Sequence, residues 1–594
     1  MILQALCNFY DILRDSGVKV PLQGYSDGKI SAITQLSRNG ELQSVTDFRE
    51  EGSNRRPRQM EVFEQFQRSG SNAPPYFLSD NAKYVFGIDK GETNIKTFNS
   101  FKDFHNQLLS GIDDEEINAF LKFINNNQPE DLIKNPEIVK AQEFFKTGSI
   151  IFRIEGHESY LHQNERAKRI WENYYNSSAD DTYAQCLVTM ERAPIARIHN
   201  RIKGVFDAQS TGATIVGFND AAFNSYGKDQ SYNAPISRRA MFSYTTVLNY
   251  MLNNPKHHII VGDATTVFWA ESLEGFCEEL LSGLLFIEND ENEDENDKKG
   301  KIEDSETKQL IKDILMKAKN GEKINYAKLD ENSNVNFYLL GLAPNNARIS
   351  VRFFFADTFG SFVEKALNHQ LDMNIVSNGK HSHESIPIYR ILRETIPINS
   401  KEKLPPPILA GQLMTSVLTG TMYPSSVYQK IILRIRAEGI INNVRASFIK
   451  AYLLRKSRIL KGKLKESEIT VSLDENNENT PYRLGRLFAV LEKIQRDALG
   501  DNINSTIKDK YFSGASTTPA KIFPIIMRLS QHHIAKLEHK IYYERLKGDI
   551  LSDIDEFPNY LNLEEQGMFI LGYYHQNVEI YRKKKESIGG EKNE

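Results

Sequence analysis

The spacing of apolar residues changes along the chain. In the first part, apolar positions come in short runs rich in β-branched and aromatic residues. SIIFRIEG (149–156), HHIIVGDATTVFWAE (257–271), NFYLLGLAP (336–344) and RISVRFFFAD (348–357) predict strands. SFVEKALNHQLDM (361–373) carries apolar residues at helical spacing, and MILQALCNFYDILRDSG opens the chain as an amphipathic helix. After LPPP (404–407) the period becomes helical throughout. AGQLMTSVLTG, VYQKIILRIRAEG, VRASFIKAYLLRKSRILKG, YRLGRLFAVLEKIQRDALG and AKIFPIIMRLSQHHIAKLEHKIYYERLKG all repeat at i, i+3, i+4, i+7. The expected architecture is an α+β region over 1–400 followed by an all-α helical bundle over 401–594, with the proline run as the boundary. A chain of 594 residues exceeds what one core usually serves. ENDENEDENDKKGKIEDSE (288–306) is too polar to build a core and reads as a disordered acidic surface insertion.

Composition adds little: 40% hydrophobic and 26% charged residues are ordinary for a soluble protein. The net charge of -4 hides an asymmetry, however. Residues 401–594 carry a net +7 and residues 1–400 a net -11. Because a freestanding DNA-binding protein shows an overall basic excess, any nucleic-acid surface here must be local. Cys7, Cys186 and Cys277 lie far apart without a CxxC pair, which argues against a disulfide framework or thiolate zinc site and for a reducing cytoplasm. The opening helix does not read as a signal peptide, and no apolar run approaches the roughly 20 residues of a membrane span. A cytoplasmic protein without membrane contact is expected.

The usual signatures of enzymatic chemistry are missing. There is no GxxxxGK[ST] phosphate loop, GxGxxG turn, GxSxG elbow or HExxH helix. His532 has Ala535 and Lys536 at the i+3 and i+4 positions where a metal ligand would sit, so His532, His533 and His539 read as structural or surface residues. His257-His258 has only Asp263 nearby. His199 lies among Arg197, Arg201 and Lys203, where it contacts an anion or the core more readily than it acts as a base.

Nucleic-acid contact is better supported. Reading duplex DNA needs cations for phosphates and neutral polar groups for base edges. RRPR (55–58) is a basic cluster, and beyond it lies RSGSNAPPYFLSDNAKYVFG (68–87). In Gly70-Ser71-Asn72 the glycine allows close backbone approach, the paired prolines stiffen the loop, and Tyr76 and Phe77 anchor or stack. The same tripeptide is also ordinary turn chemistry. Residues 206–244 are dense in Asn, Gln, Ser and Tyr, with Lys228, Arg238 and Arg239 interleaved. They suit base-edge contacts and stacking, or equally a network of amides that holds loops together.

Several long blocks together carry a family resemblance. They are MILQALCNFYDIL, RRPR, PPYFLSDNAKYVFGID, CLVTMERAPIARIHNRIKGV (186–205), GFNDAAFNSYGKDQSYNAPIS (217–237), FYLLGLAPNNARISVRFF (337–354), LTGTMYPSSVYQKIILRIRAEG (418–439), RASFIKAYL (445–453) and PYRLGRLFAVLEKIQRDALG (481–500). In this order they resemble the large subunit of the type I-C CRISPR interference complex, Cascade. The resemblance implies a non-catalytic subunit without a cofactor. Its implied partners are a guide crRNA, target double-stranded DNA, backbone, 5′-end-capping and small subunits, and a helicase-nuclease recruited after R-loop formation. The N-terminal domain of such subunits recognises the protospacer-adjacent motif (PAM) and helps open the duplex, while the helical bundle supports the displaced strand and heteroduplex. Most sequence specificity then comes from pairing with the guide, so a short polar loop suffices for the protein.

On that basis Asn72, with Gly70 and Ser71, is expected to approach the PAM groove, beside Tyr76. Asn81 and Lys83 are expected to support that loop or touch phosphate. Gln209, Lys228, Gln230 and Asn233 are further candidates for DNA contact or strand separation. Arg434, Arg436, Arg455, Lys456 and Arg458, with Lys461, Lys463 and Lys465, are expected to hold a strand by its phosphates, although any of them could instead lie on a solvated helix face. Met414 and Met422 are candidate internal starts for a separate small subunit. The competing class is a metal-dependent nuclease or a guide-RNA-processing ribonuclease, which needs a carboxylate cluster or a His/Lys/Tyr constellation.

Overall fold

The computed structural model describes the chain apart from residues 52–54, 67, 69–72, 177–181, 273–274, 287–304, 323–325, 378–384, 402–404, 501–504 and 591–594. Nearly all of the acidic stretch 288–306 therefore lies outside the described residues. Two compact units emerge: residues 1–203 with 210–250, and residues 204–209 with 251–594. The break expected at 400 instead falls inside the second unit. Pro407 opens the helix Pro407–Thr419, a position where its missing N–H costs nothing. That helix then buries Leu409, Leu413, Met414 and Val417 in the same core as Phe268, Leu280 and Phe337, so no boundary forms there.

In the first unit the long strand Tyr25–Leu36 is central. It pairs antiparallel with Arg58–Phe63 near its start and with Leu42–Asp47 near its end, and runs parallel to Ser149–Ile154. The helices Ile95–Leu109 and Glu115–Asn126 are capped by Asn94 and Asp114, whose side chains accept the backbone N–H of Thr97 and Ile117. Together with the helix Glu165–Asn176 they bring Phe98, Phe101, Phe120, Phe123 and Trp171 against Phe63, Phe77 and Phe152. Phe77 is sandwiched there, its ring stacked at 5.4 Å on both His105 and Trp171. This buried aromatic fixes the chain immediately after the candidate loop. Residues 182–237 contain little regular structure beyond the short pair Tyr183–Gln185 with Arg192–Pro194.

The second unit holds a four-stranded antiparallel sheet in the order Arg348–Thr358, Asn336–Asn345, Ala264–Ala270, His258–Val261. Gly262 turns the last pair at a positive φ of 67°. The helices Phe276–Leu285 and Phe359–Met373 share its core. The bundle comes next, in Pro407–Thr419, Ser425–Glu438, Asn443–Leu460, Thr480–Leu499, Pro519–Ile534, Lys540–Leu551 and Leu563–Gly590. The two longest of these cross at Gly485 and Gly572. A Cβ at either glycine would collide with the backbone carbonyl of Phe569 or Tyr482. The fold is thus α+β at its N-terminal end and a helical bundle at its C-terminal end, but the bundle and the second sheet bury one continuous core. The helical spacing over 520–548 is realised as two helices, Pro519–Ile534 and Lys540–Leu551, with Ile534 buried in that core and Leu537 packed against it.

Candidate nucleic-acid interface

Gly70, Ser71 and Asn72 lie outside the described residues; the chain on either side of them is tightly held. Arg68 forms a two-pronged ion pair with Asp80, with Nη1 donating at 2.9 Å to Oδ1 and Nη2 bonding Oδ2. Its Nε donates to the Pro74 carbonyl at 2.9 Å. The guanidinium also lies between two rings, 3.6 Å from the Tyr76 centroid and 3.9 Å from that of Tyr84. Asp80 is fully buried and accepts two further bonds, from the backbone N–H of Tyr76 and Asn81. Burial pushes its carboxyl up, against the four donors that favour the ionised form. Tyr84 donates to the Ala73 carbonyl at 2.7 Å, and Tyr76 to that of Phe66 at 2.8 Å. One residue before the 69–72 segment and two after it are therefore tied to a single buried carboxylate and its two tyrosines.

The neighbouring expected contacts divide by role. Tyr76 is a wall of this clamp. The Asn81 side chain accepts the backbone N–H of Lys83 at 3.1 Å as the cap of the short helix Ala82–Val85, and Lys83 Nζ pairs with Asp89 at 2.8 Å. Asn81 and Lys83 are thus engaged in the short segment that follows the loop. In RRPR, Arg55 pairs with Asp47 at 3.2 Å and Arg58 lies over Phe48, while the exposed Arg56 has no side-chain partner among the described residues.

The amide-rich segment folds as a braced loop. Asn233 accepts the backbone N–H of Ser225 at 2.9 Å and donates to the carbonyls of Lys228 and Gln230 at 2.8 and 2.9 Å. Asn224 donates to Asp229 at 2.7 Å. Tyr226 and Gln230 both take positive φ, near 50°, around Gly227 at 68°. Such backbone persists in non-glycine residues only where its surroundings over-determine it. The result projects Tyr226 as a ring 98% exposed, which no sequence pattern singled out. Arg197, Lys228 and Gln230 line a cavity of about 680 Å³ in this unit, with Phe218, Tyr232 and others. Lys228, Gln230 and Asn233 are thus gathered into one site, with Asn233 as its brace. Gln209 is exposed and belongs to the second unit.

In the bundle the structure corrects the choice of cations. Arg455 is only 5% exposed, so it cannot grip a strand. It donates twice to Asp372, at 3.1 and 2.9 Å, and to the carbonyls of Ser416 and Thr421 at 3.0 and 3.2 Å. Its guanidinium lies 3.8 Å from the Tyr423 ring centre. Arg458 shares Asp372 and pairs with Glu466 at 2.7 Å; Lys456 pairs with Glu564 and Arg434 with Glu438. Arg436 reaches Ser513. Arg455, Lys456 and Arg458 tie their helix to neighbouring elements, while Arg434 pairs within its own helix; of these only Arg455 belongs to the stretch from Val444 that the helix Asn443–Leu460 buries. A cation buried this way must be paired. Lys461, Lys463 and Lys465, by contrast, are exposed and without partners among the described residues. So are Lys521, Arg528, Lys536, Lys540 and Arg545, with His532 between them. Lys521, Arg528 and His532 fall at i, i+7 and i+11 of the helix Pro519–Ile534, on one exposed face. This unneutralised stripe escaped attention because it is spread over 25 residues.

The histidine of the basic RIHNRIKG segment takes a structural place. His199 is buried with Nδ1 2.6 Å from the Tyr244 hydroxyl, and burial lowers its pKa to about 4. Among the described residues, no three His, Cys, Asp or Glu side chains gather as metal ligands, and no helix is long and apolar enough to cross a membrane. Residues 6–581 match the family model described as CRISPR-associated protein (Cas_Csd1). No curated protein matches the chain.

Proposed function

The chain belongs to the Cas_Csd1 family of CRISPR-associated proteins, and from that premise we propose that it is the non-catalytic large subunit of a type I-C surveillance complex. In this role it reads the PAM in duplex DNA, helps open the duplex, supports the R-loop and enables recruitment of a helicase-nuclease. It works in the cytoplasm with a guide crRNA and with backbone, 5′-end-capping and small subunits. The observation that carries the reading is the clamp of Arg68, Asp80, Tyr76 and Tyr84. It fixes both ends of the segment containing Gly70, Ser71 and Asn72, and rigid support is what a loop needs to discriminate base edges rather than merely meet phosphates. Arg56 and Lys228 supply local positive charge, which suits a chain with almost no net charge. The unpaired stripe from Lys521 to Arg545, with Lys461, Lys463 and Lys465, is suited to holding a strand by its phosphates.

Incubating the purified chain with labelled duplex, single-stranded DNA and guide-precursor RNA, with and without magnesium, tests the non-catalytic role. All three substrates should remain intact. Cleavage that disappears when a single side chain is replaced would move the protein into the nuclease or ribonuclease class.

A further inference from the structure

The cavity in the 182–235 region has a composition that duplex reading does not require. Its volume of about 680 Å³ lies within the range of roughly 300–1,000 Å³ typical of small-molecule sites. Phe218 and Tyr232 give it aromatic surface, and Asn219, Asn224 and Gln230 give it amides. Two cations, Arg197 and Lys228, line it without side-chain partners among the described residues. Gln230 Oε1 is buried and accepts no hydrogen bond. A buried acceptor left unpaired is costly, so one that is built in marks a place for a donor. The backbone around it is held in advance by Asn233, by the Asn224–Asp229 bond and by the Ser231 N–H on the Arg197 carbonyl at 3.2 Å.

We propose that this cavity is a nucleotide pocket. It takes one unpaired nucleotide of a single strand, with the base against Phe218 and Tyr232 and the adjoining phosphate toward Arg197 and Lys228. Every nucleobase that can leave a duplex carries a ring or exocyclic N–H, and a turn of the Gln230 amide, whose oxygen is buried beneath the cavity surface in the free chain, would bring the two together. Arg197 and Lys228 suit one phosphate, but Asp220 and Asp229 in the same lining offset them, so the base against the two rings must supply most of the affinity. The proposal relies on the function above only for the choice of a nucleic acid as ligand.

The test uses the full chain, with ten-nucleotide thymidine DNA compared against an abasic deoxyribose-phosphate of equal length. The wild type should bind the base-bearing strand at least tenfold more tightly. Gln230→Leu and Tyr232→Ala should remove most of that preference, and Lys228→Ala, at an exposed position, should weaken both strands equally. Equal binding of the two strands by the wild type would overturn the proposal. So would retention of the whole preference in both pocket variants, including the case where those variants fail instead to enter the assembled complex, which would assign the cavity to a partner subunit. Loss of PAM preference in Asn72→Ala, with the base preference intact, separates a failure of this pocket from a failure of duplex reading.

Discussion

The helix Asn443–Leu460 and the helical pair from Pro519 to Leu551 are similarly basic in sequence, yet the fold uses them in opposite ways. The first carries Arg445, Lys450, Arg455, Lys456 and Arg458, and it is enclosed by its neighbours. Arg445 is held by Glu394 and Glu438, and Lys450 donates to the Asp372 carbonyl at 3.0 Å. The second carries Lys521, Arg528, Lys536, Lys540 and Arg545 exposed and without an acidic partner among the described residues. Counting charge along a chain therefore overstates the cations available to a ligand wherever a helix is buried on most sides. The clamp in the first unit repeats the buried arrangement on a smaller scale, with Arg68 against Asp80 and two tyrosine rings.

The contrast can be broken most forcefully at Arg455. Arg455→Ala leaves Asp372, 1% exposed, without its main partner. It should cost about 3–5 kcal/mol of stability, as breaking a buried pair does. Chemical denaturation reads this loss, and the salt dependence of strand binding by the refolded fraction should not change. Arg68→Ala strands the carboxylate of Asp80 and should cost about 3 kcal/mol in the first unit. It should also flatten the preference for PAM-bearing duplex, because the anchor before residue 69 is gone. Retention of that preference at full strength would show that the clamp is only structural.

Acidification should affect both units. Burial pushes His105, His369 and His575 down to about 3, and His162 and His199 to about 4. An unfolded histidine titrates near 6.5, so between that value and about 4 the unfolded chain binds more protons than the folded one. The contribution of these groups is complete above pH 6.5 and declines as pH falls toward 4 for His162 and His199 and toward 3 for His105, His369 and His575. The denaturation midpoint should accordingly be lower at pH 5 than at pH 7. The smallest effect on stability, and the sharpest on binding, belongs to the exposed stripe. Replacing Lys521, Arg528 and Lys536 together with Ala should leave the midpoint unchanged. The slope of log K against log salt for single-stranded DNA should fall by about 2, given roughly 0.7 per phosphate contact.

Much of the fold was legible. The hairpins His258–Ala270 and Asn336–Thr358 and most of the bundle can be read directly from the period of apolar residues. The central strand Tyr25–Leu36 was not, because Asp27, Gly28 and Lys29 interrupt it. Gly28 is needed there, since a Cβ would meet Val62 Cγ2 at 2.5 Å. Local composition picked out Lys228, Gln230 and Asn233, and the fold does bring them close together. The site was illegible where function depends on distant partners. Asp372 lies 83 residues from Arg455, and nothing near RKSR marks it as buried. Tyr226 owes its exposure to a positive φ that the sequence does not display.

Duplex reading by the 69–72 segment is tested most directly in the assembled guide complex, by comparing wild type and Asn72→Ala on PAM-bearing and PAM-scrambled duplexes at fixed salt. The expected result is a loss of about 1–3 kcal/mol on the PAM-bearing duplex alone, the cost of one lost base-edge contact. An equal loss on both duplexes, or none on either, would contradict it.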